Sequence, residues 1–192
     1  MPAADDKPIH SFVDVGAFRA WLAVHHGDHT GIWLRYFKKA SGQATIAPVE
    51  AVQEALCWGW IDGQARPSDH ISWLVKFTPR GRRSIWSQVN IGHVERLTRA
   101  GRMQPAGLAA VAAAKADGRW DAAYASSSTF VMPEDFMVRL TKKPTSLAFF
   151  ESLTKANRYA IYHRLHTAKR PETRAKRLEE FLAMLQRGEK LH

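Results

Sequence analysis

The first regular pattern in the chain is an apolar repeat at helical spacing. Apolar side chains three and four positions apart fall on one face of a helix, and two segments show this repeat. The repeating residues are Phe18, Trp21 and Leu22 in the first segment and Val49, Val52 and Leu56 in the second. We therefore predict one helix over residues 14–26, after a short disordered tail. A second helix is predicted from Pro48 to Gly59, since proline suits the first helical position.

Alternating side chains predict three strands between and after these helices. The strands are residues 32–37, 60–66 and 71–78. The last two are separated by Pro67-Ser-Asp-His70, which is typical of a hairpin loop. Because successive side chains of a strand point to opposite faces, Asp62, Gln64 and Arg66 are expected to project together on one side.

The remainder of the chain has helical signals. Helices are predicted from Ser84 or Ser87 to about residue 100, and over residues 105–116, 133–140, 144–153, 155–166 and 172–187. Residues 119–132 are expected to form an irregular connection. The fold class is therefore α+β: a small antiparallel sheet of about three strands packed by helices, followed by an all-helical C-terminal part. This pattern predicts a core domain over residues 1–130 and a helical subdomain over residues 131–192, packed on the core.

The composition is that of an ordinary globular protein. Of 192 residues, 45% are hydrophobic and 24% are charged. A single cysteine, Cys57, excludes an intramolecular disulfide. No stretch approaches the roughly 18 apolar residues of a membrane span, and the polar N-terminus lacks the apolar segment of a signal peptide. We expect a cytoplasmic protein without a membrane span.

The net charge of +10 favours an anionic partner, either a small molecule or nucleic acid. The densest basic segment lies near the C-terminus, with few acidic residues among its lysines and arginines. The candidate nucleic-acid-binding residues there are Lys169, Arg170, Arg174, Lys176 and Arg177. The alternative is that these residues form solvated helix faces.

The segment from residue 54 to residue 90 combines tryptophan, arginine and small polar residues. It predicts a pocket in which guanidinium groups hold an anion beside aromatic rings. The candidate ligand-binding residues are Asp62, Arg66, Arg80, Ser84, Trp86, Ser87 and Asn90. Asp62 is the candidate catalytic acid or base, because burial beside large rings alters proton affinity. Its alternative role is structural, as an acceptor of backbone N–H groups or a partner of Arg66 or Arg80.

Standard catalytic and cofactor motifs are absent from the sequence. It has no Cys-x-x-Cys, His-Glu-x-x-His, Gly-x-Ser-x-Gly or glycine-rich phosphate loop. His25, His26 and His29 are close in sequence, but neighbouring side chains on a helix diverge. Cys57 lies among apolar residues, which favours an inert thiol. We predict neither a metal nor a cofactor.

Two classes of function fit these observations. The first is a non-catalytic binder of an anionic ligand, with nucleic acid as the alternative ligand. The second is a small enzyme in which Asp62 is the general acid or base while Arg66 and Arg80 hold an anionic substrate. The missing nucleophile, metal and cofactor motifs favour binding.

An ordered set of motifs resembles the YdeI/OmpD-associated family, also labelled bacteriocin-protection proteins. The motifs are Glu54-Ala-Leu-Cys-Trp-Gly-Trp-Ile-Asp-Gly63, Phe77-Thr-Pro-Arg80, Ser84-Ile-Trp-Ser87, Asn90, and the segments 95–107, 114–120 and 168–174. The resemblance covers most of residues 10–188. It implies a role in envelope stress and in protection from antimicrobial peptides, without implying particular catalytic residues. Some members of the family are described as periplasmic, whereas this sequence predicts the cytoplasm.

Overall fold

The computed structural model describes residues 7–191. The strands are β1 (Ile9–Ser11), β2 (Ile32–Phe37), β3 (Trp60–Pro67) and β4 (Ser72–Pro79), and a 3-10 helix spans Lys39–Ser41. The α-helices are α1 (Val15–His25), α2 (Pro48–Cys57), α3 (Gln88–Arg99), α4 (Pro105–Ala116), α5 (Glu134–Thr141), α6 (Pro144–Ser152), α7 (Lys155–His166) and α8 (Pro171–Gln186). The predicted α+β class is confirmed.

The sheet differs from the prediction in strand number and direction. It has four strands in the order β1-β2-β4-β3 among the described residues, and β1 runs parallel to β2 while the other pairs are antiparallel. The sequence pattern missed β1 because three residues are too few to show alternation. The predicted disordered tail is therefore wrong for residues 9–11, and its first six residues lie outside the described part of the chain.

The chain divides into two units, which we describe separately. The sheet unit comprises residues 1–86 and 90–121, and the helical unit comprises residues 87–89 and 122–192. The predicted division into residues 1–130 and 131–192, with the second packed on the first, stays a prediction.

One face of the sheet carries the core of the sheet unit. Ile32, Leu34 and Tyr36 alternate along β2, and they pack with residues of α1 and α2. The core residues of this unit are Phe18, Leu22, Ile32, Leu34, Tyr36, Ile46, Ala51, Ala55, Trp60 and Phe77. The opposite face carries Trp33 and Leu74, which are also buried.

Helix α4 packs closely on the end of α2. A Cβ atom added at Gly107 would lie 2.2 Å from the carbonyl oxygen of Cys57, which is far inside van der Waals contact. A Cβ atom added at Gly59, which follows α2 with φ +74°, would lie 2.8 Å from the carbonyl oxygen of Ala106. The two glycines allow the backbones to approach at a distance that no other residue permits.

The helical unit is built around α5 to α8. Its core residues are Phe136, Leu140, Phe150, Leu153, Ile161, Leu165, Leu178, Phe181, Leu182 and Leu185. The segment before α5 is irregular, as predicted, and is held by tyrosines of α7: Tyr162 Oη accepts a hydrogen bond from Ala125 N at 2.8 Å, and Tyr159 Oη donates to Ala125 O at 3.1 Å. Within residues 7–191, no helix is both long and apolar enough to cross a membrane.

Candidate ligand-binding site

A bulge in β3 separates two of the predicted site residues. Asp62 pairs with Phe77 of β4, but the register shifts before Ala65, so that Arg66 pairs with Leu74. Paired residues share a face of the sheet, and Phe77 and Leu74 lie on opposite faces. The expectation that Asp62 and Arg66 project together is therefore wrong, because the bulge interrupts the alternation on which it depended.

Asp62 is half-buried on the face of the sheet that carries the core. Burial raises the pKa of its carboxyl group, while a backbone hydrogen bond and the charge of Arg80 act in the opposite direction. Burial and the nearby Asp62 also raise the pKa of the Tyr36 hydroxyl. Asp62 thus keeps its proton to a higher pH than an exposed aspartate, which is a property of general acids and also of buried structural carboxyls.

Arg80, Ser84 and Trp86 lie in the segment that follows β4, between this strand and α3. The Arg80 guanidinium carbon lies 3.5 Å from the centroid of the buried Trp86 ring, and Nη1 donates to Ile85 O at 3.1 Å. Ser84 Oγ accepts a hydrogen bond from Gly81 N at 3.0 Å. These contacts stabilise the turn itself, so the three side chains have a structural role there whether or not they also contact a ligand.

The other two predicted residues lie at the start of α3. Ser87 is 8% exposed and forms an isolated parallel bridge with Tyr124 within the helical unit. Asn90 is half-buried in the first turn of α3 and belongs to the sheet unit. Their assignment to a ligand stays a prediction.

Arg66 lines a cavity at the hairpin end of the sheet, which we call the hairpin cavity. Its volume is about 360 Å³, and its lining residues are Lys38, Ala65, Arg66, Pro67, Asp69, Ser72 and Trp73. The hairpin cavity is a shallow depression that is open to solvent, and its volume lies at the lower end of the range of small-molecule sites. The sequence singled out Arg66 but missed Lys38, which reaches the cavity because the end of β2 lies beside the start of β4.

Aromatic stacking positions two side chains of the hairpin cavity, the Arg66 guanidinium and the Trp73 ring. The guanidinium carbon of Arg66 lies 4.0 Å from the centroid of Trp33. Trp73 stacks on Tyr36, with centroids 5.3 Å apart and an interplanar angle of 20°. Lys38 Nζ donates one hydrogen bond, to His70 O at 2.9 Å. The lining therefore includes two cationic residues and an aromatic ring, with the Arg66 guanidinium on the Trp33 side of the sheet and the Trp73 ring on the Tyr36 side.

Asp69 is the acidic residue that lines the hairpin cavity. Its Oδ1 accepts hydrogen bonds from Ile71 N at 3.0 Å and from Ser72 Oγ at 2.8 Å. The hydrogen bond from Ser72 lowers the pKa of the Asp69 carboxyl, so it is ionised at neutral pH. Since this carboxylate serves the hairpin loop, its role is the turn chemistry expected of aspartate.

A buried carboxylate that the sequence interpretation overlooked lies between α1, α2 and the start of α4. Glu54 is 2% exposed, and it accepts hydrogen bonds from Nε and Nη2 of Arg19 at 3.0 and 2.9 Å. Arg102 Nη2 donates at 2.7 Å and Trp58 Nε1 at 3.3 Å. The available signal was an acid beside the apolar residues Ala51 and Ala55 of α2. No group of three His, Cys, Asp or Glu that could hold a metal occurs within residues 7–191.

Comparison with known families gives two matches, one in each half of the chain. Residues 10–110 match the family model described as Domain of unknown function (DUF8412). The chain belongs to this family. Residues 129–188 match a second model, described as Bacteriocin-protection, YdeI or OmpD-Associated. No curated protein and no solved structure matches the chain.

The second match confirms the family that the sequence motifs suggested, over the C-terminal part of this DUF8412 protein. The motif at residues 168–174 falls inside it. The motifs between Glu54 and residue 107, which carry most of the resemblance, fall instead in the segment matched by the first model. The hairpin cavity lies in that first segment.

The segment that matches the bacteriocin-protection model contains the predicted nucleic-acid-binding residues. Arg174 donates two hydrogen bonds to Asp135, at 2.5 and 2.8 Å, and they lower the pKa of that carboxyl. Arg177 Nη1 donates to Arg164 O at 2.6 Å, and Lys176 Nζ lies 3.8 Å from Glu180 Oε1. Lys169 and Arg170 are exposed just before α8. Because these contacts link α8 to α5 and α7, the helical unit itself uses part of this charge, and nucleic-acid binding stays a prediction.

Proposed function

We propose that the protein is a non-catalytic binder of an anionic small molecule and that the hairpin cavity holds this ligand. The match to the bacteriocin-protection model supports a role in stress or antimicrobial protection, and we propose that ligand binding serves this role. The observation that carries the proposal is that the two cationic residues Arg66 and Lys38 and the aromatic Trp73 all line one depression of about 360 Å³ at the hairpin end of the sheet.

Contacts within the protein already position the Arg66 guanidinium for binding an anion. Stacking on Trp33 restricts the guanidinium of Arg66. No residue within 7–191 accepts a hydrogen bond from this guanidinium or forms an ion pair with it. A planar guanidinium presents two parallel N–H groups to a carboxylate or phosphate. Because the side chain is already positioned, less conformational entropy is lost on binding.

The other groups of the cavity define the class of ligand. Lys38 supplies a second cation on a flexible stem, and the Trp73 ring supplies a surface for a flat group. The net charge of +10 favours the encounter with anions and disfavours direct capture of a cationic peptide. We therefore propose a ligand with one aromatic ring and a phosphate or carboxylate group.

Calorimetric titration with phenyl phosphate tests the proposal. We expect Arg66→Gln to weaken binding at least about tenfold, since a charge-assisted hydrogen bond is lost. Lys39→Gln is the matched control, because Lys39 is exposed and adjacent to Lys38 but does not line the cavity. Benzyl alcohol, which lacks the anion, should not bind. Equal affinities of the wild type and Arg66→Gln would exclude this site.

The raised pKa of Asp62 beside Arg80 supports a second candidate, in which Asp62 is a general acid of a small enzyme. Turnover of an anionic substrate that disappears in Asp62→Asn, with an unchanged melting temperature, would support it. Turnover that persists in this variant would exclude Asp62 as the catalytic group.

A further inference from the structure

A second cavity of the sheet unit lies at the opposite end of β2 from the hairpin cavity. We call it the imidazole cleft. It has a volume of about 270 Å³, and its lining includes His10, Trp21, His25, Asp28, Ile32 and Trp60. An apolar cavity of about 150 Å³ is enough to bind benzene, whereas drug-sized ligands need about 300 Å³ or more. The cleft therefore fits a molecule of one or two rings.

Aromatic rings form most of the wall of the cleft. Trp21 stacks on His25, with centroids 4.7 Å apart and an interplanar angle of 20°, and it meets Trp60 edge-on at 5.7 Å and 90°. His10 lies 5.2 Å from Trp21. Trp60 is fixed in turn, since its Nε1 donates to His26 O at 2.8 Å. Such a wall favours a flat apolar ligand.

His25 supplies a hydrogen-bond acceptor in a defined orientation. Its Nδ1 lies 3.0 Å from Asp28 Oδ2. A carboxylate accepts, so Nδ1 carries the proton in this pair, and whenever the ring is neutral its lone pair lies on Nε2. Stacking on Trp21 and the hydrogen bond to Asp28 both fix the ring. A ligand in the cleft that bonds to His25 therefore meets an acceptor.

The charges around the cleft bear on the class of ligand. Asp28 repels an anion, and the net charge of +10 disfavours a cation. Burial lowers the pKa of His10, so this ring is neutral at pH 7 and adds no positive charge. Together with the aromatic wall, these charges favour an uncharged molecule.

We infer that the imidazole cleft binds a small uncharged aromatic molecule whose N–H or O–H group donates a hydrogen bond to Nε2 of His25, which Asp28 orients. Indole and phenol have this chemistry. The site is separate from the hairpin cavity and does not depend on the proposed function, because the two cavities share no lining residue.

The test is an NMR titration of the full chain with three ligands of graded chemistry. Indole can donate from its N–H, 1-methylindole cannot, and 3-methylindole keeps the donor while matching the added methyl group. We expect indole and 3-methylindole to shift the indole N–H signal of Trp60 at millimolar concentrations, and 1-methylindole to bind about fivefold to tenfold more weakly, as the loss of one hydrogen bond predicts.

Three variants assign the donor preference to His25. His25→Phe keeps a ring that stacks on Trp21, and Asp28→Asn changes an exposed side chain. We therefore expect at least one of these two variants to fold. Both should reduce the preference for indole over 1-methylindole to less than about twofold. His29→Gln is the control, since His29 is exposed in the same turn but does not line the cleft. Equal binding of all three ligands by the wild type, absence of binding, or an unchanged preference in both variants would overturn the inference.

Discussion

Arg19 donates two hydrogen bonds to the carboxylate of Glu54, across 35 residues of sequence, and thereby joins α1 to α2. Nη2 of Arg102 donates to the same carboxylate, at 2.7 Å from the Oε2 atom that Nη2 of Arg19 also contacts. The exposed side-chain fractions differ sharply: 51% for Arg19 and 38% for Arg102, but 2% for Glu54. Water can therefore solvate either arginine if the pair is broken, whereas Glu54 depends on its protein partners.

This asymmetry predicts the order of stability of two variants. Arg19→Met should lower the free energy of unfolding by about 2–4 kcal/mol, because a buried carboxylate loses its principal partner. Glu54→Gln should cost about 1–2 kcal/mol, since the arginines that remain reach water. Urea unfolding at neutral pH measures both. Lys176→Met, which removes an exposed pair with Glu180, is the control and should cost less than about 1 kcal/mol. A larger loss for Glu54→Gln than for Arg19→Met would contradict this account.

The same carboxylate predicts a dependence of stability on pH. Burial raises the pKa of Glu54, but hydrogen bonds and charge from Arg19, together with hydrogen bonds from Trp58 and Arg102, outweigh burial, so the net pKa is below its usual value. A lowered pKa in the folded state adds stability above the unfolded pKa of about 4.3, and this stability is lost as the pH falls through the folded value.

Urea unfolding of the wild type and Glu54→Gln at a series of pH values measures this effect. The difference between their free energies of unfolding should be largest near neutrality and should shrink as the pH falls below about 4.3. A difference that grows on acidification would show that the folded pKa is raised rather than lowered.

Alanine substitutions at two glycines should change the stability of the protein in opposite directions. Gly107 lies at the contact between α4 and α2, whereas Gly92 does not. Gly107→Ala should destabilise the protein by about 1–3 kcal/mol or more, because its Cβ would lie 2.2 Å from Cys57 O. Gly92→Ala in α3 should stabilise by about 0.5–1 kcal/mol, since the new Cβ meets its nearest neighbour at 3.6 Å and alanine favours a helix. Thermal unfolding of the two variants checks the signs. Equal stability of the two variants would mean that the backbones do not approach this closely.

The thiol of Cys57 should be unreactive in the folded protein. Burial, and then the charge of Glu54, raise its pKa to about 11. Near pH 8 only about one thiol in a thousand is ionised at that pKa, compared with about a quarter at the unfolded value. Alkylation by iodoacetamide should therefore be at least about 100-fold slower in buffer than in urea. Similar rates in both solvents would show that the thiol is accessible.

The sequence by itself determined most of the local structure. Proline at the first position and apolar residues at helical spacing predicted α2 (Pro48–Cys57), and alternation with a polar loop predicted the β3–β4 hairpin. These features depend on interactions between residues close in sequence, which explains why their boundaries are correct to within a few residues. The strand β1 was missed because its three residues gain their structure from pairing with β2.

The composition of both cavities was decided only by the tertiary structure. The bulge between Asp62 and Ala65 moved Arg66 to the face opposite Asp62, and strand pairing brought Lys38 and Arg66 to the same end of the sheet. Likewise, His10 meets His25 only because β1 pairs with β2 beside α1. Local sequence preferences determine which helices and strands form and which side chains they carry. Which of these side chains come into contact depends on strand register and on packing between distant elements. The energies of those interactions are spread over many residues that are far apart in the sequence.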